Sequence, residues 1–385
     1  MRNKFIVLSI LIILYLCGSP VYANTDLSAK AAVLIDTNSG RVLYSKNMHD
    51  RLPQASTTKI TTALVVLENM SLNTKIQIPK NFVNPGESGI CLEPGEIHTV
   101  EDLLYSLLLK SANDAATALA ISTAGSESGF IEMMNKRVRK LGLNNTHYEN
   151  PHGLHHDNHY SSAYDLAMIT REALKNEKFR SFINTRCQTI PWPGHDYSRI
   201  VYNGNKLLNR YQGADGVKTG YTKQAGSCLV GSATRNGLQL IAVVLNSNQM
   251  YGEVSQLLDY GFNNYRKINY YEKGQTVRTI SIKGGEQQKL QLLAAEHVSL
   301  AVKPEEISQV EYNVNIPQKV YAPVKKGESI GNITVKLNND VNMKVKLIAK
   351  ENINSKSMIL YLWNKITSTL DFFWYKDLTK ITCIS

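Results

Sequence analysis

Cysteine is scarce in this chain, with five in 385 residues. Cys17, Cys91, Cys187, Cys228 and Cys383 are widely spaced and form no C-x-x-C pair, so neither a disulfide framework nor a zinc site follows. Secretion would permit disulfides, with unpaired buried thiols expected at least as much, and no catalytic role falls to them. Long apolar runs are scarce too. The stretch from Phe5 to Leu16 is shorter than the ~20 residues that a spanning helix needs. Lys+Arg 43 against Asp+Glu 32 leaves a net charge of +11, yet no aromatic and basic nucleic-acid signature accompanies it. The excess therefore points to an anionic envelope surface or anionic lipid. His147, His152, His155, His156 and His159 crowd thirteen positions, but not on a helical metal-binding pattern. Loop histidines near a cleft are expected, with no metal and no cofactor.

The start of the chain has the build of an export signal. Met1-Arg2-Asn3-Lys4 precedes the apolar stretch, and Pro20-Val21-Tyr22-Ala23 closes it in an A-x-A-like pattern, so residues 1–23 read as a signal peptide cut after Ala23. An exported, extracytoplasmic protein is expected. What remains exceeds one compact domain, and a large domain with a smaller one follows.

Ala31-Ala32-Val33-Leu34-Ile35, the turn Asn38-Ser39-Gly40 and Arg41-Val42-Leu43-Tyr44 predict a β-hairpin. A second is predicted far downstream, where Ser227–Gly231 and Leu238–Leu245 flank Asn236-Gly237, a strong two-residue turn signal. Between them the period is helical, with Ile60, Ala63, Leu64 and Leu67 on one stripe and Leu103, Leu104, Leu107 and Leu108 on another. An alanine-rich helix over Asp114–Thr123 and a closing helix over Glu253–Asn263 complete the pattern. Distant hairpins around a helical insertion predict one antiparallel sheet covered by helices, an α/β (α+β) domain over residues 24–265. From Ile268 the runs become short and alternating, which predicts a small all-β domain over 266–352. In the tail, 353–385, Ile359, Leu362, Trp363, Ile366, Leu370, Phe373 and Trp374 recur at spacings of three and four beside Lys356, Lys365, Lys376 and Lys380. An amphipathic helix lying in a membrane interface is expected, the alternative being a helix packed on the protein itself.

Three short motifs carry the chemistry: Ser56-Thr57-Thr58-Lys59, Ser111-Ala112-Asn113 and Lys218-Thr219-Gly220. A serine hydroxyl needs a base within reach, and helical spacing places Lys59 on the face of Ser56. Lys59 can act as that base only if desolvation or a second cation lowers its pKa, and Lys218 offers the cation. Ser111 can relay a proton and Asn113 can bind an amide, although either Asn113 or Asp114 could merely cap the alanine-rich helix. Lys218 and Thr219 present a charge and a hydroxyl to a carboxylate from an edge strand. Gly220 lets a ligand approach that strand, and the Tyr221 N–H can complete an oxyanion hole with the Ser56 N–H. Each motif alone is weak; the three in this order are much more specific.

With these motifs stand Leu92-Glu93-Pro94-Gly95-Glu96, Asn150-Pro151-His152-Gly153-Leu154, Tyr164-Asp165-Leu166-Ala167 and Gly213-Ala214-Asp215-Gly216-Val217. In all of them the chain resembles the serine-type D-alanyl-D-alanine carboxypeptidases, the low-molecular-mass penicillin-binding proteins, from about Leu27 to Tyr265. The resemblance implies a penicillin-binding/β-lactamase-like catalytic domain, followed by the family's usual β module and tail. It also implies that Ser56 attacks the bond between the two terminal D-alanines of a peptidoglycan stem peptide and that water then frees the acyl group. Lys59 would be the acylation base, Ser111 and Asn113 the proton relay and amide anchor, and Lys218 with Thr219 the carboxylate clamp. β-Lactams would acylate the same serine.

Two positions depart from the family pattern. Ala112 stands where many relatives have glycine, and Asn248–Glu253 lacks the arginine that relatives often place there, which removes a second carboxylate contact. A β-lactamase of the same fold would need a Glu-x-x-Leu-Asn segment, and none is found. A cross-linking transpeptidase remains compatible with the residues, and a non-catalytic peptidoglycan-binding scaffold is disfavoured by the intact motifs.

Overall fold

The computed structural model describes residues 27–338 and 340–356. The expected signal peptide, Cys17, Cys383 and all but the first four positions of the expected tail lie outside them. The described chain forms two compact units. The first comprises 27–34, Tyr44–Ala233 and Ile241–Asn263; the second comprises Ile35–Leu43, Thr234–Leu240 and the residues from Asn264 onward.

The sheet of the catalytic region is built from both ends of the sequence. β1 (Ala31–Asp36) is buried at every position, as its unbroken apolar run requires, and β2 (Val42–Lys46) returns beside it. A 3-10 turn over Ala55–Thr58 leads into α1 (Lys59–Asn69), buried from Lys59 to Val66. The short pair β3 (Lys75–Gln77) and β4 (Ile97–Thr99) precedes α2 (Val100–Tyr105), which Thr99 and Asp102 start with a capping box. The predicted stripe then widens into a π turn over Ser106–Lys110 before α3 (Asn113–Ala124) and α4 (Glu127–Lys140). Neither Asn113 nor Asp114 caps α3; its N-cap is Ala112, without a side-chain bond.

α5 (Ala163–Ala173) and α6 (Glu177–Asn184) are followed by a hairpin of β5 (Cys187–Ile190) and β6 (Arg199–Tyr202). The short α7 (Leu207–Arg210) leads into β7 (Ala214–Thr222), β8 (Gly226–Arg235) and β9 (Leu238–Ser247), and α8 (Met250–Asn264) follows. The sheet order is β2-β1-β9-β8-β7, so β7 is an edge strand as predicted. Asn236 and Gly237 turn β8 into β9 with φ of 50° and 75°, the left-handed values that a two-residue hairpin demands.

Among the described residues from Arg266 onward, the second unit is all-β apart from a 3-10 turn at Pro304–Gln309. β10 (Arg266–Tyr271), β11 (Thr276–Lys283), β12 (Lys289–Ala294), β13 (Val298–Val302), β14 (Val310–Asn315), β15 (Val320–Tyr321), β16 (Ser329–Leu337) and β17 (Asp340–Ala349) form a pair β10-β13 and a sheet β14-β16-β17-β12-β11-β15. Alternate residues such as Leu290, Leu292, Ile333, Val335, Val345 and Leu347 fill its core, which Ile353 joins.

Candidate active site

Ser56 stands in a 3-10 turn that two glycines press into shape. Ala55 has φ of 48°, an unfavourable conformation for a residue with a Cβ, and it directs the chain into the turn. A Cβ on Gly153 would fall 2.0 Å from the Ala55 carbonyl oxygen, and one on Gly220 would fall 2.9 Å from the Ser56 nitrogen. No larger residue fits at either place without moving the nucleophile.

Lys59 begins α1 directly behind Ser56 and is fully buried. Its Nζ lies 3.0 Å from Ser56 Oγ, 2.7 Å from Asn113 Oδ1 and 2.6 Å from the His152 carbonyl oxygen. The last two atoms can only accept hydrogen bonds, whereas the serine hydroxyl can also donate. A neutral amine therefore satisfies the set completely, giving its two hydrogens to Asn113 and His152 and taking the Ser56 proton on its lone pair. Burial, helped by the Lys218 charge, holds the Lys59 pKa well below the ordinary lysine value, which favours that neutral form.

The second motif sits where the π turn ends. Ser111 adopts the left-handed conformation, φ 64° and ψ 33°, and so breaks the helix between Lys110 and Asn113. Among the described residues its hydroxyl has no hydrogen-bond partner. Asn113 is tied on two sides, with Oδ1 on Lys59 and Nδ2 donating 2.9 Å to the Gly86 carbonyl. Its backbone N–H donates to Ser88 O at 2.7 Å, which anchors the 84–92 loop to the start of α3. Asp114 extends the anchor: its buried carboxylate accepts from the N–H groups of Ile90 and Leu92.

Lys218 projects from β7 and is buried, with one bond from Nζ to the Thr219 carbonyl at 3.1 Å. Burial lowers its pKa to about 7. An ammonium with donors to spare in a desolvated setting favours an incoming anion strongly. Tyr221, three residues along the strand, has an exposed side chain.

Several contributors carry no side-chain signature in the sequence. Asn150 Oδ1 accepts from the N–H of Gly153 at 2.7 Å and Nδ2 donates to Leu154 O at 2.9 Å, bending the loop so that the His152 carbonyl meets Lys59. His152 and His159 are buried, and burial lowers both imidazoles to about 3, so they are neutral. His159 Nδ1 accepts from the Glu149 N–H, which leaves Nε2 to donate 2.8 Å to Thr58 Oγ1 beneath the nucleophile turn. Two of the crowded histidines, His152 and His159, thus brace loops around the serine. Where the family arginine was missed, Tyr251 donates from its hydroxyl to Gly204 O at 3.1 Å, and the Arg210 guanidinium lies 5.7 Å from its ring centre. Cys228 is buried as expected, but Cys91 and Cys187 are exposed free thiols, because a loop and a hairpin edge carry them.

A serine on a constrained turn, a buried lysine behind it whose pKa burial lowers, and a second buried lysine on the facing edge strand define an acyl-transferring serine enzyme. The chain belongs to the D-alanyl-D-alanine carboxypeptidase family, whose model matches residues 19–249, and residues 265–355 match the C-terminal domain of penicillin-binding protein 5. The D-alanyl-D-alanine carboxypeptidase DacF of Bacillus subtilis is 36% identical over 343 residues, covering 87% of this chain and 88% of that protein. DacC of Escherichia coli is 31% identical over 364 residues, covering 88% of each. Among solved structures, penicillin-binding protein 5 from Haemophilus influenzae superposes with a TM-score of 0.67 at 29% identity, covering 86% of this chain and 98% of that one. The fold is thus an α/β catalytic domain followed by an all-β domain, and the chain is a serine carboxypeptidase of this penicillin-binding family.

Proposed function

We propose that the enzyme removes the terminal D-alanine from peptidoglycan stem pentapeptides through an acyl-enzyme on Ser56. As Oγ attacks the carbonyl between the two D-alanines, the hydroxyl proton passes to Lys59 Nζ. The N–H groups of Ser56 and Tyr221 take the developing oxyanion, with Gly220 leaving room beside them. Ser111, whose hydroxyl is uncommitted, passes its proton to the leaving amine and is reprotonated by the proton that Lys59 took from Ser56. Asn113 has one Nδ2 hydrogen left after its bond to Gly86 and offers it to the substrate amide carbonyl. Lys218 and Thr219 clamp the terminal carboxylate, and water then hydrolyses the ester. β-Lactams enter the same path and stop at the acyl-enzyme.

The observation that carries this reading is the position of Lys59 among three oxygens, of which Ser56 Oγ alone can give it a proton. In the same reading residues 1–23 direct export, 24–265 form the catalytic domain and 266–352 the β domain. Residues 353–385 hold the enzyme against the outer face of the cytoplasmic membrane, a placement supported by the amphipathic spacing of the tail and the net charge of +11. Purified protein mixed with a pentapeptide ending in D-alanyl-D-alanine should release free D-alanine, and Ser56→Ala should release none. Equal release by that variant would refute the nucleophile. Transfer of the acyl group to an added amine in preference to water would favour the transpeptidase reading.

A further inference from the structure

We propose that the C-terminal β unit carries a cup for a phosphate-ester anion, formed where the β11–β12 turn meets residues 354–356. A cavity of about 340 Å³ opens there, lined by Ser281, Ile282, Gly284, Gly285, Gln288, Lys289 and Lys356. Its lining residues carry two ammonium groups, a hydroxyl and a carboxamide. Among the described residues none of these four side chains has a hydrogen bond or ion pair within the protein. Lysine ammoniums act as point charges for phosphate, and the hydroxyl and amide add neutral donors. Among the described residues no aromatic side chain lines the cup.

The floor is held in place. The Lys356 N–H donates to Gly284 O at 2.8 Å and the Glu286 N–H donates to Asn354 O at 3.0 Å, with Gly285 bridged to Ser355. Gly285 has no room for a side chain, since a Cβ would stand 2.8 Å from Ile353 Cγ2. Gly284, at φ 71°, faces open space and leaves the mouth clear. The acid on this turn, Glu286, does not line the cup; its carboxylate accepts from the Asn354 amide at 3.3 Å. The ester can belong to an anionic phospholipid headgroup or to a water-soluble molecule, and both present the same tetrahedral anion. The cup is independent of the catalytic reading, because none of its residues lies near Ser56 in sequence or in the same unit.

The test uses the full chain and its Lys289→Gln/Lys356→Gln variant. Sedimentation with phosphatidylglycerol vesicles, against phosphatidylcholine vesicles, reports the headgroup; titration with glycerol phosphate followed by phosphorus NMR reports the soluble ester. Each lysine near an anionic surface is worth ~1 kcal/mol, or about 5-fold, so the double variant should bind about 30-fold more weakly. Lys289→Arg/Lys356→Arg should restore binding, and D-alanine release and melting temperature should not change in either variant. Lys356 also belongs to the tail, so weakening on vesicles alone is the tail's effect and overturns the cup, whereas weakening in both measurements assigns it to phosphate esters. Binding by the glutamine variant equal to wild type in both, or no binding of either probe by wild type, would overturn the cup.

Discussion

Gly153 stands so close to Ala55 that a methyl group on it would fall 2.0 Å from the Ala55 carbonyl oxygen. One residue before it, the His152 carbonyl accepts from Lys59. A single loop thus fixes both the turn that presents Ser56 and the amine that activates it. Gly153 also has φ of 92°, so alanine there is strained as well as crowded. Gly153→Ala should lower the melting temperature by the equivalent of roughly 1–3 kcal/mol and slow β-lactam acylation far more than it changes stability. Calorimetry beside stopped-flow acylation separates the two effects, and an unchanged acylation rate would contradict the coupling.

Lys59 is predicted to act as a base, not as a permanent charge. Lys59→Arg keeps a cation that cannot be deprotonated at working pH. The D-alanine release rate should fall by about 10²–10⁴-fold, the usual contribution of a general base. In the wild type the acylation rate should rise with pH as Lys59 loses its proton, with a midpoint well below that of ordinary lysine. A pH-independent rate, or an active arginine variant, would exclude this role.

Lys218 is held at a cost to the fold. Burial lowers it to about 7, against ~10.4 for a lysine in an unfolded chain. Between those values the unfolded chain binds more protons, so stability should rise with pH across that window. The penalty is fully present below about pH 7 and is relieved as pH rises toward ~10.4. Lys218→Met should therefore melt several degrees higher than wild type at pH 6, with the gain shrinking by pH 10, while the affinity for carboxylate-ended peptide drops. A lower melting temperature at pH 6 would show that the charge is compensated by contacts not accounted for.

The 91–99 segment is held by a buried network that should matter for stability first. Arg199 reaches both Glu96 oxygens, at 2.9 and 2.7 Å, and His98 Nε2 lies 2.6 Å from Oε2. The same guanidinium bonds the Cys91 carbonyl at 2.8 Å and stacks 4.2 Å from the Trp192 ring centre. Burial opposes ionisation of Glu96, but Arg199 and His98 outweigh it and hold the carboxyl below its usual range. Arg199→Met should cost about 3–5 kcal/mol by stranding a buried carboxylate. Glu96→Gln/Arg199→Met should recover part of that loss. Denaturant unfolding of the single and double variants measures it, and additive losses would refute the pairing.

Much of this was legible from local chemistry. The Asn236-Gly237 turn, the apolar stripe of Lys59–Asn69 and the alternating β strands after Arg266 all follow from periodicity and turn residues. The first two motifs located Ser56 and Asn113, which meet at Lys59, because they are side chains with distinctive chemistry. The rest depends on backbone atoms brought together over long sequence separations. The His152 carbonyl on Lys59 has no residue type to announce it, and Gly153 is informative only once Ala55 lies against it. The break at Ser111 follows from the junction of two helical patterns, but a π turn shares its apolar stripe with an α-helix, so the wider winding of Ser106–Lys110 could not be read. The exposure of Cys91 and Cys187 came from the loop and hairpin edge that carry them.

The account stands on Ser56 as the acyl-accepting atom, 3.0 Å from Lys59 Nζ. Brief incubation with benzylpenicillin, followed by digestion and peptide mass spectrometry, tests it most directly. One penicilloyl group should appear on the peptide containing Ser56 in wild type and be absent from Ser56→Ala. A penicilloyl group on any other residue, or its persistence in that variant, would contradict the account.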